Sequence, residues 1–187
     1  WVCARHGADA VVGVFGESMG AATVLEFAAG DGRPAFVVSD CGYSDLGDQL
    51  AYLLRVEYRL PRFPILALTS LWCKLRAGFF IGDVSPRRAV GRIRAPILFI
   101  HGLADDYVLP LMAQELYENA ASPVKALHLV PNASHAGSFG ADRAGYERQL
   151  DEFLSMAAAD GKARAAAAAE GGAPDGKAAS TARGGLR

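Results

Sequence analysis

The sequence predicts an α/β fold, a mostly parallel sheet with flanking helices. Two observations carry this. Short apolar, β-like runs alternate with stretches of helical periodicity through about residue 155, the pattern of strands joined by helical crossovers. In addition, three of those runs end abruptly at loops bearing a serine, an aspartate and a histidine, and the edge of an open α/β sheet where strands end is where such sites form.

The first run, Ala10 to Phe15, leads into Gly16-Glu17-Ser18-Met19-Gly20 and then into the helix-like Ala21 to Ala28. The pattern is G-x-S-x-G in a strand–turn–helix setting, the context of a nucleophile elbow. Gly16 and Gly20 are expected to let strand and helix approach where side chains would collide. Ser18 is then held at the turn, beside a helix N-terminus that favours developing negative charge. A second strand is predicted at about 35–40, a third at 96–101 and a fourth at 124–130. Ala113, Leu116, Tyr117 and Ala120 share one helical face between the last two, and Tyr146, Leu150, Phe153 and Leu154 repeat the pattern in the last helix, with Asp142 as its N-cap.

A serine hydroxyl is a weak nucleophile until a base takes its proton. The chain must therefore supply a histidine and a carboxylate, in the order Ser, Asp/Glu, His. The third strand runs into His101-Gly102-Leu103-Ala104-Asp105-Asp106, and the fourth into Pro131-Asn132-Ala133-Ser134-His135. Asp105 is the candidate acid and His135 the candidate base. Asp106 suits a turn or an N-cap. His128, inside a strand, and His101, before a glycine turn, read as structural, and His6 has no motif around it. Glu17 is a candidate ammonium binder, but its place inside the elbow suits packing and hydrogen bonding.

Between the second and third strands lies a connection from Cys41 to Ala95, longer than a crossover needs. Leu46, Leu50, Leu53 and Leu54 have helical spacing, Ile65 to Gly78 is a second apolar helical run, and Pro61 and Pro64 separate the two. Residues 1–156 form one core unit with this helical insertion at about 43–92. From Ala157 to Arg187 the chain is Ala, Gly and small polar residues. It is expected to be a disordered tail, apart from a brief helical extension at Ala165 to Ala169.

Composition narrows the function. Hydrophobic residues make up 51% of the 187, enough for a real core. The net charge of −1 gives no argument for nucleic acid. Cys3, Cys41 and Cys73 cannot all pair, and they read as small apolar residues. No CxxC or HExxH spacing suggests a metal site. No signal peptide or membrane span is visible. The chain begins at Trp1, and its first convincing strand already delivers Ser18, so a longer parent protein is expected.

GESMGAATVL, PILFIHGLADDYV and PNASHAG resemble bacterial α/β-hydrolases of the serine esterase and aminopeptidase-related type. The resemblance covers about residues 10 to 155 and implies the C-terminal part of that fold. It implies Ser18 as nucleophile, Asp105 as acid and His135 as base. Asp40, ending the second strand, stands at an alternative acid position used by some members. The Met19 N–H becomes one oxyanion-hole donor, and the other comes from a loop upstream of the elbow strand, for which this sequence has no candidate. Insertions where residues 43–92 lie form a cap over the site. Apolar residues there, Leu53, Leu54, Phe63, Leu66, Leu68, Leu71, Trp72, Phe79 and Phe80, suggest an apolar acyl or aryl substrate. The expected activity is a cofactor-free carboxylesterase acting on a small-molecule ester, with thioesters and amides as further substrates. A serine peptidase on short peptides is one alternative; a paired-carboxylate site for a free amine would support it, and the cap region shows at most Glu57. A non-catalytic homologue is another.

Overall fold

The computed structural model describes residues 2–7 and 10–171. After a short helix α1 (Val2–His6), the order is β1 (Val14–Glu17), α2 (Met19–Gly30), β2 (Val37–Asp40), α3 (Leu46–Val56), α4 (Ile65–Ala77) and a 3-10 turn (Ile81–Asp83). There follow α5 (Pro86–Val90), β3 (Ile97–Gly102), α6 (Pro110–Asn119), β4 (Lys125–Val130), α7 (Ser138–Ala141) and α8 (Arg143–Gly171). The four strands form one parallel sheet in the order β1-β2-β3-β4.

Alternation along the strands builds two cores. Val37, Ile97 and Phe99 face one way and pack with Leu25 of α2, Val90 of α5 and Leu116 of α6. Val38, Leu98 and Ile100 face the other way, against Tyr146 and Phe153 of α8. β3 is buried along its whole length, which is why Ile97 to Ile100 reads as an unbroken apolar run. Register levels the strand ends: Glu17 lies beside Asp40, and Asp40 beside Ile100. The loops that follow are tied down by bonds extending the ladder, Ser18 N–H to Asp40 O and Cys41 N–H to Ile100 O, each 2.9 Å.

Three boundaries differ from the sequence reading. β1 begins at Val14, not near Ala10, because the paired register with β2 starts at Val14 and Val37, and upstream of it only Val12 O, among the described residues, is held from that side, by Ala35 N–H at 2.8 Å. The predicted insertion ends earlier than residue 92. Ala89, Val90 and Ile93 are core residues, so α5 is the true crossover helix. Helix α8 continues to Gly171, with Ala157 still buried, so the ordered unit runs past residue 156. Alanine has the best intrinsic helix propensity, and a helix already nucleated on the core propagates through an Ala-rich stretch at little cost. The rest of the predicted tail lies outside the described residues. Asp142 caps α8 as predicted, its Oδ1 accepting from Gly145 N–H at 2.9 Å.

Candidate active site

The elbow is built by one close approach. A Cβ on Gly16 would lie 2.2 Å from the Gly20 carbonyl oxygen and 2.7 Å from the Ala21 nitrogen, so only glycine lets β1 meet α2 there. Gly20 differs from the sequence reading: a Cβ on it would meet nothing within 4 Å. Gly20 contributes the backbone that Gly16 approaches, not a gap of its own. Ser18 has φ 54° and ψ −117°, a region L-residues seldom occupy. Its conformation is held by the N–H bond to Asp40 O and by the start of α2 at Met19. Such strain costs on the order of 1–3 kcal/mol and points the side chain out of the turn. The Met19 N–H, first in α2, lies outside the helix ladder beside Ser18.

The chain brings the loops after β3 and β4 to this hydroxyl. Ser18 Oγ lies 2.9 Å from His135 Nε2, and His135 Nδ1 lies 2.8 Å from Asp105 Oδ2. A carboxylate only accepts, so Nδ1 carries the proton and Nε2 receives the serine O–H. The imidazole is partly exposed, while Asp105 is 2% exposed. The Tyr107 ring packs against the imidazole with centroids 4.9 Å apart.

Asp105 is fixed from several sides. Its Oδ1 accepts from Tyr107 N–H at 3.0 Å and Val108 N–H at 2.9 Å. Its Oδ2 receives His135 and also faces His101 Nε2 at 3.2 Å. Burial pushes the Asp105 carboxyl up. The hydrogen bonds from His101, His135 and Val108 outweigh that and hold it below the ordinary carboxylate range. His101 is wholly buried. Its Nε2 donates to Val108 O at 2.8 Å, and its Nδ1 has no partner. The sequence reading of His101 as structural missed its contact with Asp105. The signal was present in its spacing, four residues before the acid across a tight turn.

The other candidates lie apart from this relay. Asp106 is exposed, and its carbonyl accepts from Tyr52 O–H at 2.7 Å. Asp40 is buried behind the elbow, where its Oδ2 accepts from Tyr146 O–H at 3.0 Å. Burial raises Asp40 to about 6, with Glu17 nearby adding to the effect against the Tyr146 bond. Cys41, with φ 45°, is buried, and burial beside Asp40 pushes its thiol up to about 12. Glu17 and Glu57 are exposed. Among the described residues no cluster of His, Cys, Asp and Glu could hold a metal ion. Of the insertion, α3 reaches the site's rim: Gln49 Nε2 donates to Tyr107 O at 2.7 Å and Tyr52 bonds the Asp106 carbonyl, bracing the acid loop.

A parallel sheet with helices on both faces is also the fold of several solved structures. The structure superposes on the Pyrococcus furiosus esterase Pf2001 with TM-score 0.64 at 21% identity, covering 83% of this chain and 58% of that one. The chain has the α/β-hydrolase fold. Acetyl xylan esterase 1 from Thermoanaerobacterium sp. JW/SL YS485 aligns with TM-score 0.56 at 20% identity, over 78% of this chain and 45% of the esterase. The family model described as serine aminopeptidase, S33, matches residues 85–139, a span that holds Asp105 and His135 but not Ser18. The uncharacterized protein YqkD of Bacillus subtilis (strain 168) is 41% identical over 147 residues, 77% of this chain. The chain spans about half of YqkD, 48% of its length.

Proposed function

We propose that the chain carries the nucleophile, base and acid of a serine hydrolase that cleaves an ester through an acyl-enzyme. The observation that carries this reading is the continuous relay from Ser18 Oγ to His135 at 2.9 Å and on to the buried Asp105 at 2.8 Å, with Ser18 in strained backbone. His135 Nε2 takes the Ser18 proton as Oγ attacks the carbonyl carbon. Asp105 keeps the proton on Nδ1 and stabilises the imidazolium. In this reading the Met19 N–H, at the start of α2, donates to the developing oxyanion. His135 then protonates the departing alkoxide, the carbonyl re-forms, and a water activated by His135 releases the acid and restores Ser18. Apolar residues of the insertion, Leu53 and Leu54 among them, favour an apolar acyl or aryl group.

A second reading is a peptidase that releases N-terminal residues, favoured by the description of the matching family model and by Glu17 next to Ser18. One comparison separates them: turnover of p-nitrophenyl butyrate against amino-acid p-nitroanilides. The ester reading expects the butyrate to be preferred by at least about 10²-fold in kcat/KM. Preference for the anilides would establish the peptidase, and turnover of neither would overturn both.

A further inference from the structure

We propose that residues 58–82 dock on the surface of an anionic phospholipid bilayer. Helix α4 has no buried residue, although Ile65, Leu66, Leu68, Leu71, Trp72 and Leu75 make it apolar round most of its circumference. Trp72 is 63% exposed and Leu75 is 72% exposed, and Phe63, just before the helix, is 77% exposed. The helix leans on α3 and on the turn Ile81–Asp83, and the rest of it faces outward. So much uncovered apolar surface marks an interaction site.

Charge identifies the occupant. Residues 58–82 contain Arg59, Arg62, Lys74 and Arg76 and no Asp or Glu. Arg62 reaches Asp48 at 3.7 Å, but the ion pairs among the described residues include none of Arg59, Lys74 and Arg76. Lys74 lies over the Phe80 ring at 5.1 Å and also donates to Gly78 O at 2.9 Å, and Arg76 lies over Trp72 at 6.0 Å. Apolar and aromatic side chains interleaved with cations are what an anionic membrane interface binds: rings enter the headgroup boundary, and Lys and Arg reach the phosphates. A second copy of this face fits less well, because pairing would oppose the four cations of 58–82 to one another, with only Asp48, already paired with Arg62, and the flanking Glu57 and Asp83 to offset them.

The element lies on the bilayer and does not cross it. No single helix among the described residues is long and apolar enough to span a membrane. α4 has 13 residues, and the apolar segment after it turns away by 82° and ends in the buried Ala89 and Val90. The surface is read without any catalytic assumption, so binding and hydrolysis succeed or fail separately.

The test uses Trp72 as reporter in the 187-residue chain with Trp1→Phe. Vesicles of equal phosphatidylcholine and phosphatidylglycerol should shift Trp72 emission to the blue and expose it to quenching by doxyl-labelled lipid, and should float the protein in a density gradient. Pure phosphatidylcholine should do neither at 0.15 M salt. Charge reversal at exposed positions, Arg59→Glu with Lys74→Glu and Arg76→Glu, should weaken binding at least about 10²-fold, since each cation contributes about fivefold near such a surface. Circular dichroism of that variant checks that it folds. An unchanged Trp72 spectrum on anionic vesicles would overturn the proposal. So would a lipid-free blue shift that grows with protein concentration, which would assign the face to a second copy. A Trp72 already shielded from iodide in dilute lipid-free protein would assign it to the protein's own chain.

Discussion

Replacing Asp40 by Asn separates two roles that a carboxylate at a strand end can have. Asp40 is 3% exposed, its Oδ2 holds one hydrogen bond, from Tyr146, and its Oδ1 has none. Burial lifts it from 3.8 to about 6. At about 1.4 kcal/mol per pH unit, its ionised form costs the fold about 3 kcal/mol. The sign follows from proton uptake. Between about pH 4 and pH 6 the folded protein keeps a proton that the unfolded chain releases, so stability falls as pH rises through that window. Asn keeps the shape, can accept from Tyr146, and cannot ionise. The variant should therefore match the parent near pH 4 and exceed it at pH 8 by about 3 kcal/mol, a Tm gain of about 6–12 °C for a chain this size. Differential scanning calorimetry across pH 4–8 reads this directly. A Tm difference independent of pH, or a variant less stable than the parent at pH 8, would refute the reasoning. Ester turnover by the same variant should stay within a few-fold of the parent, since His135 bonds Asp105 and the elbow uses only the Asp40 backbone carbonyl.

Three further outcomes follow from the same contacts. Gly16→Ala should destabilise the fold by about 3 kcal/mol or more, because its Cβ would strike backbone, whereas Gly20→Ala should stay within about 1 kcal/mol; denaturant midpoints compare them. His101→Phe keeps the volume but removes the donor beside Asp105, so kcat should fall about tenfold or more with KM little changed, which steady-state kinetics would show. In a Cys3→Ser background, iodoacetamide at pH 8 should alkylate the partly exposed Cys73 and spare Cys41, whose buried thiol sits near 12; mass spectrometry of the native protein reads the sites.

Much of this was legible in the sequence because the signals were local. A parallel strand buried on both faces leaves an unbroken apolar run, so Ile97 to Ile100 could be placed closely, and the spacing of Leu46 to Leu54 showed helix α3, though its buried residues are Gly47 and Gln49 and the leucines are half-buried. Ser18, Asp105 and His135 stood out because each follows a strand end in a required order. Contacts made only in three dimensions stayed hidden. His101 looks like an ordinary strand-end residue until the turn folds it onto Asp105, and Asp40 reads as a rival acid until Tyr146 of α8 is seen covering it. The two glycines of the elbow are equal as letters, but only Gly16 faces another backbone. The apolar helix at 65–77 was plain. Its periodicity could not say that it would be left uncovered.

The central claim, that Ser18 is activated by His135 and Asp105, is most directly tested by locating a fluorophosphonate adduct. The probe is incubated with the chain, the protein is digested, and the modified peptide is sequenced by mass spectrometry, in parallel with Ser18→Ala, His135→Ala and Asp105→Asn. The account predicts a single adduct on Ser18, absent in Ser18→Ala and formed orders of magnitude more slowly in the other two, since Asn at 105 leaves the geometry but disfavours the tautomer that accepts the serine proton. Labelling of Ser18 at an undiminished rate in His135→Ala, or an adduct on another residue, would contradict it.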